Sequence, residues 1–140
     1  MNNDIEDLEN IVPGLSSQVY EKFEHYFSLI DHYNSKINLV AKSTLSRAGI
    51  KHFADSVRGL EILEPELVSD QAVFDFGSGN GFPGMVSGIL KQDTPHILVE
   101  RDQRKAEFLK TAAFNMGLKN IKVHPGNVNE LKKGSCINVI

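Results

Sequence analysis

Apolar positions recur every three or four residues in the first half of the chain and fall into short unbroken runs in the second half, so the period changes near the middle. Val19, Phe23, Phe27 and Ile30, with Glu21, Glu24 and Asp31 elsewhere, predict an amphipathic helix capped by Ser16 or Ser17. The residues before it, through Pro13-Gly14, read as a polar lead-in. A polar loop at Asn34-Ser35-Lys36 leads to a second predicted helix, capped near Ser43 or Thr44. That helix carries Phe53, Val57, Leu60 and Leu63 on one face and is closed by Pro65. Residues 1–65 are thus read as an N-terminal helical cap.

Past residue 65 the pattern is that of alternating strands and helices. Ala72-Val73-Phe74-Asp75-Phe76, bounded by glycine, has the character of a buried strand. Residues 83–91 read as a helix with proline in its first turn, and His96-Ile97-Leu98-Val99 as a second strand. A helix over 103–116 turns Phe108, Leu109, Ala112, Ala113 and Met116 inward and is capped by Gly117. Ile121-Lys122-Val123-His124 forms a third strand, and Cys136-Ile137-Asn138-Val139-Ile140 starts a fourth. Strands and helices alternating at this spacing predict right-handed βαβ units, hence an α/β fold with a parallel, doubly wound, Rossmann-like sheet over 66–140. A sheet that stops on a strand just begun is expected to continue in a longer chain.

Composition narrows the class. The chain has 140 residues, 41% hydrophobic and 24% charged, the balance of an ordinary globular domain. The longest apolar runs are a few residues, and the acidic start Met1-Asn2-Asn3-Asp4 is unlike a secretory signal. The single cysteine, Cys136, cannot form an internal disulfide, so a reducing cytoplasm is the simplest home. It is read as a small buried hydrophobe. The net charge of −3 does not announce a nucleic-acid binder, but its distribution is uneven. Lys36, Lys42, Arg47, Lys51 and Arg58 are followed by a second basic cluster at Arg101, Arg104, Lys105 and Lys110. Basic patches on an acidic protein can hold a polyanion locally.

The sharpest candidate chemistry is Asp75-Phe76-Gly77-Ser78-Gly79-Asn80-Gly81-Phe82-Pro83-Gly84, which leaves a predicted strand and enters a predicted helix. In doubly wound folds this is the crevice at the carboxyl end of a strand where nucleotides bind. Glycines allow a tight turn and close approach of a ligand to the backbone, and a helix N-terminus behind them offers free N–H groups. The spacing is neither the G-x-G-x-x-G of a dinucleotide fold nor a Walker loop. A dehydrogenase-type domain is therefore the weaker reading, and the acid directly before the turn points to S-adenosylmethionine (AdoMet). Glu100, at the end of the second strand, is placed to accept both ribose hydroxyls. Asn127-Val128-Asn129 follows the third strand, where a loop meets the adenine or simply turns in solvent.

These motifs resemble the bacterial small-subunit rRNA guanine-N7 methyltransferase family, also known as glucose-inhibited division protein B. The resemblance rests on Tyr33-Asn34-Ser35-Lys36-Ile37-Asn38-Leu39, His52-Phe53-Ala54-Asp55-Ser56, the stretch from Asp75 to Gly84, Arg104-Lys105 and Phe108-Leu109. Where the family usually carries Asp, this chain has Glu100. The family continues past Ile140 into a Ser-Arg-Ala segment, which implies that this chain is cut short. The resemblance implies a class I methyltransferase core that binds AdoMet through Asp75, Gly77, Gly79, Gly81, Phe82, Pro83, Glu100, Val128 and Asn129. It further implies methylation of N7 of a guanosine in 16S rRNA, with the rRNA or the small ribosomal subunit as partner. A non-catalytic remnant that binds AdoMet or RNA without turnover is the alternative.

Contacts to RNA phosphate are assigned to Lys36, Lys42, Lys51, Arg104 and Lys105, with a solvated face as the equal competitor. No catalytic side chain is nominated, since guanine N7 carries a lone pair and no proton, and no metal cluster or membrane partner is expected. His52 and Asp55 read as a structural pair, His25 and His32 as surface residues, and Tyr20, Tyr26 and Tyr33 as packing residues.

Overall fold

A computed structural model describes residues 2–40, 47–132, 134 and 138–140. The helices are α1 (Asn2–Ile11), α2 (Ser17–Ile37), α3 (Arg47–Leu63), α4 (Gly84–Leu90) and α5 (Gln103–Asn115). The strands are β1 (Val73–Phe76), β2 (His96–Glu100), β3 (Ile121–Pro125) and β4 (Asn138–Val139). All four strands are parallel, in the order β3-β2-β1-β4. That is the Rossmann-like order, with the direction of crossover reversing beside β1. Right-handed crossovers that step the same way, β1 to β2 to β3, place α4 and α5 on one face of the sheet.

The α/β class and the strand assignments hold, and four details of the first reading need correction. The lead-in is not a polar coil but α1, whose Leu8 is buried, as is Val12 just past its end. The stretch Asn34-Ser35-Lys36 is helical, because α2 runs on to Ile37. Asn34 is buried, and its Oδ1 accepts the Val40 N–H at 2.8 Å, closing the turn beyond the helix. Leu63 leaves the face it was assigned to and is 42% exposed, whereas Phe53, Val57 and Leu60 are buried. Pro83 precedes α4 rather than lying in its first turn.

Helix ends follow the sequence chemistry elsewhere. The Ser16 hydroxyl accepts from the Val19 N–H at the start of α2. Gly117, at φ +66°, ends α5 with bonds from Gly117 N–H to the Phe114 carbonyl and from Leu118 N–H to that of Ala113. This is the paired-bond ending for which a left-handed residue is needed. Pro65 lies in a single 3-10 turn, Glu64–Glu66, directly after α3. The caps proposed at Ser43 and Thr44, and Cys136, lie outside the described residues.

The helical region and the sheet share one hydrophobic cluster. It runs from Leu8 and Val12 through Phe23, Tyr26, Ile30, Phe53 and Val57 to Met85, Ile89, Phe108 and Leu109. Each large side chain buried this completely contributes about 1.5–3 kcal/mol. At the end of α5, the Lys22 ammonium from α2 donates to the Met116 carbonyl at 2.9 Å. A cation is favourable at a helix C-terminus.

One buried polar chain makes the fold sensitive to acid. His96 Nδ1 lies 2.8 Å from the Thr94 carbonyl, which can only accept, so Nδ1 carries the proton. Nε2 then accepts from the Ser87 hydroxyl at 2.7 Å. Burial pushes the imidazole below its ordinary value of 6.5, partly offset by the Thr94 bond and reinforced by the Lys91 charge. A depressed histidine supplies stability that is present above 6.5 and lost as pH falls through its folded value. The melting temperature is therefore expected to drop as buffers are acidified below 6.5. His96→Gln should flatten that dependence while losing about 1 kcal/mol in alkaline buffer. An equally steep profile in the variant would remove His96 from this role.

Candidate functional site

The carboxyl edge of the sheet gathers the predicted site. Residues 77–83 leave β1, Glu100 ends β2, and the turn at 126–130 leaves β3. The Gly126 N–H donates to the Glu100 carbonyl at 3.0 Å, so the second and third of these segments are joined directly.

A glycine-rich segment needs outside groups to hold its shape, because glycine has the most conformational freedom to lose on folding. Gly77, Gly79 and Gly81 have φ of +74°, +54° and +90°, the left-handed region where a side chain is strained. Backbone bonds start the turn: the Gly77 and Ser78 N–H groups both donate to the Val99 carbonyl, at 2.8 and 3.1 Å. Two carboxylates complete it. Glu100 Oε2 accepts the Gly79 N–H at 2.7 Å, and Oε1 accepts the Asp102 N–H at 2.8 Å. Asp75 Oδ2 accepts the Gly84 N–H at 3.0 Å, while the Ser78 hydroxyl donates to the Asp75 carbonyl.

The glycines of the motif divide into two kinds. A Cβ added at Gly77 would meet nothing within 4 Å, and one at Gly79 only the Gly77 carbonyl at 3.7 Å. These two therefore face open space. At Gly81 a Cβ would overlap the Tyr26 hydroxyl and come within 2.9 Å of the Met85 Cβ, and at Gly84 it would overlap the Asp75 side chain. Those two are needed for packing inside the protein. The open pair, with the Glu100 carboxylate beside it, forms an open cradle next to an acceptor that can take a ligand's hydroxyl groups. Each carboxylate oxygen has a further lone pair beyond the one its backbone N–H uses.

Asp75 is 4% exposed and turned toward the start of α4. Burial pushes its carboxyl above the usual value of 3.8; the Ser78 hydroxyl and the Gly84 N–H pull it back, and the Glu100 charge raises it again. It positions the turn rather than facing the open side. Phe82 and Pro83 are half-buried, and the Phe82 ring meets Tyr26 and Phe53 edge-on at centroid distances of 6.0 and 6.1 Å. Val128 and Asn129 lie in an exposed 3-10 turn stabilised by reciprocal bonds between Asn127 and Glu130.

Lys36 and Arg104 are exposed and Lys105 half-buried. Lys36 and Arg104 line one groove of about 370 Å³ between α2 and α5. Asp102 caps α5 by accepting the Arg104 and Lys105 N–H groups, and the Lys105 N–H foremost holds its carboxyl below the ordinary value. Lys42 and the side chains of Lys51 and His52 lie outside the described residues; His25 and His32 are exposed.

Tyr26 is the residue whose link to the site went unread. It sits on α2, wholly buried, and its hydroxyl donates to the Asn80 carbonyl in the glycine turn. Its ring is stacked near Phe108 at 6.2 Å. Burial, reinforced by the Asp75 charge, pushes its phenol well above 10.0, so it stays a donor. Tyr26→Phe should leave the Asn80 carbonyl unpaired and lower unfolding free energy by about 1–3 kcal/mol, measured by denaturant titration. A loss well below that range would mean that water replaces the hydroxyl.

Comparison with known proteins adds an independent line. A family model described as rRNA small subunit methyltransferase G matches residues 19–140. Ribosomal RNA small subunit methyltransferase G 3 of Bdellovibrio bacteriovorus is 33% identical over 123 residues, covering 88% of this chain and 56% of that protein. The ribosomal RNA small subunit methyltransferase G of Allorhizobium ampelinum is 38% identical over 122 residues, covering 85% of this chain and 56% of that protein. That of Orientia tsutsugamushi is 39% identical over 131 residues, covering 85% and 63%. The chain thus spans between 56% and 63% of the length of these relatives. With the family model running from the second helix to the last strand, the chain belongs to the rRNA small subunit methyltransferase G family.

Proposed function

We propose that this chain binds AdoMet at the carboxyl edge of its sheet and serves methylation of N7 of a guanosine in 16S ribosomal RNA. The observation that carries the reading is the open cradle at Gly77 and Gly79 with Glu100 at its side. Gly77 and Gly79 accept the close approach of the cofactor, Glu100 takes the ribose hydroxyls, and Val128 and Asn129 flank the adenine. Asp75, Gly81, Phe82 and Pro83 hold the shape of the turn. Bound AdoMet supplies an electrophilic methyl group. The protein has no proton to remove, because guanine N7 offers a lone pair, so orientation and exclusion of water supply the acceleration. Residues 1–65 act as a helical cap, and 66–140 form the cofactor-binding part. Work on ribosomal RNA fits a cytoplasmic protein. Among the described residues no helix is long and apolar enough to cross a membrane, and no cluster of metal-ligating side chains occurs.

Calorimetry with AdoMet and with NAD tests the cofactor. AdoMet is expected to bind and NAD not; saturable NAD binding without AdoMet binding would overturn the reading. Glu100→Ala should weaken AdoMet by about 1–3 kcal/mol, the range for a lost hydrogen-bond acceptor of this kind. Because Glu100 also holds the turn, thermal melts of the same variant separate loss of fold from loss of the ribose contact. Gly79→Val should abolish both AdoMet binding and methyl incorporation into small-subunit rRNA.

The exposed Lys36 and Arg104 and the half-buried Lys105 support an RNA face, with Lys42 and Lys51 in the same basic stretch as Lys36. Removing any one contact should reduce the slope of log affinity against log salt by about 0.7 on single-stranded RNA. AdoMet affinity should be unchanged. A slope that stays constant after several such removals would return these residues to the solvated surface.

A further inference from the structure

The groove between α2 and α5 does not touch the glycine turn, yet it is built from residues that suit a nucleotide. Tyr33 and Phe108 supply aromatic walls with ring centroids 5.6 Å apart, and Ile37 adds apolar lining. Its exposed rim carries Lys36, Arg104 and Glu107. The Lys36 ammonium lies over the Tyr33 ring, 5.8 Å from its centroid. The His32 and Phe108 rings meet Tyr33 at 5.1 and 5.6 Å, so the groove side is where the ring carries this ammonium, a contact that a planar base can replace. Among the described residues no carboxylate lies within ion-pair distance of Lys36 or Arg104, whereas Glu107 is paired with Lys110 at 3.1 Å. Arg104 feels the nearby Asp102 carboxylate but forms no close ion pair with it, so both cations can turn to an anion from outside.

Position matters as much as lining. Gln103 and Arg104 open α5 immediately after Asp102, whose N–H is bound by the Glu100 carboxylate. The groove therefore starts on the same edge as the cradle. A strand whose target base meets the methyl group of AdoMet at that edge would run a neighbouring nucleotide toward the groove.

We infer that the Tyr33–Phe108 groove is a subsite for an unpaired RNA nucleotide flanking the target. Its base stacks on Tyr33 and its phosphates lie against Lys36 and Arg104. Stacking on an aromatic side chain tolerates any base, so the subsite supplies affinity and register rather than sequence choice. Lys36 swings from the ring to the phosphate as the base arrives. Tyr33, read from the sequence as a packing residue, is half-buried and lines the groove. This inference rests on the RNA-methylating reading above and specifies how the RNA is held.

The test uses the full chain with saturating S-adenosylhomocysteine, which fills the cofactor site so that no adenosine of the probe can enter it. Two single-stranded probes are compared: oligoadenylate, and an abasic strand with the same number of phosphates. The wild-type chain is expected to bind oligoadenylate more tightly than the abasic strand. Tyr33→Leu should weaken oligoadenylate by about 5- to 150-fold, the span for one base lost from an aromatic platform. It should leave the abasic strand and S-adenosylhomocysteine affinity unchanged, and Tyr33→Trp should restore binding. Tyr33→Leu with full oligoadenylate affinity, or with equal losses on both strands, would overturn the subsite. Equal wild-type binding of both strands with a steep salt dependence would also overturn it, while leaving the phosphate contacts in place. Failure to bind either strand would overturn the subsite, and methyl incorporation into small-subunit rRNA tests the RNA-methylating reading separately.

Discussion

A stretch built from alternating glycines has few side chains with which to fix itself, so the site depends largely on how the turn after β1 is held from outside. Two carboxylates do this from opposite ends. Glu100 reaches from β2 to the Gly79 N–H, and Asp75 reaches from β1 to the Gly84 N–H at the start of α4. Both are more than nine-tenths buried, where a bond from a charged acceptor to a backbone donor is strong and its loss is costly. The burial that strengthens these bonds also raises the Asp75 carboxyl, which its bonds to Ser78 and the Gly84 N–H pull back. The same carboxylate that fixes the turn also borders the open space beside Gly79, so the device that shapes the cradle is part of what it presents.

The helical region is the third support. Tyr26 reaches the Asn80 carbonyl from a helix 54 positions earlier in sequence, and Gly81 is bare because that hydroxyl occupies the space a Cβ would take. The ring of Tyr26 then passes the contact on to Phe108, which also walls the groove with Tyr33. A chain of packed aromatic side chains thus connects the face assigned to RNA with the turn assigned to AdoMet. Removal of the helices would strip the cradle of one of its fixed points as well as part of the hydrophobic cluster.

Much of this was legible from the chain itself, because the signals are local. The strands show as short apolar runs, the end of α5 as Gly117, and the start of α2 as Ser16. The carboxyl-edge placement of the glycine motif and Glu100 follows from a parallel sheet. What escaped depends on contacts far apart in sequence. Among residues 6–11 Leu8 alone is buried, and it is buried only because α2 and α3 are there to cover it. Asn34 looks like a loop residue, yet its amide is consumed by the Val40 N–H six residues on. The motif glycines look alike in sequence, and only the neighbours of each Cα separate the open pair, Gly77 and Gly79, from the packed pair, Gly81 and Gly84. Tyr26 was legible as a packing residue, whereas the destination of its hydroxyl was not.

That division between open and packed glycines can be read out directly by amide NMR of the chain during titration with S-adenosylhomocysteine, following every glycine of the turn separately. A ligand seated in the cradle should shift the amides of Gly77, Gly79, Glu100 and Asp102 most. Smaller changes are expected at Gly84, whose N–H stays on Asp75. Saturable shifts confined to the groove between α2 and α5, with Gly77 and Gly79 unmoved, would contradict a cofactor site at the carboxyl edge of the sheet.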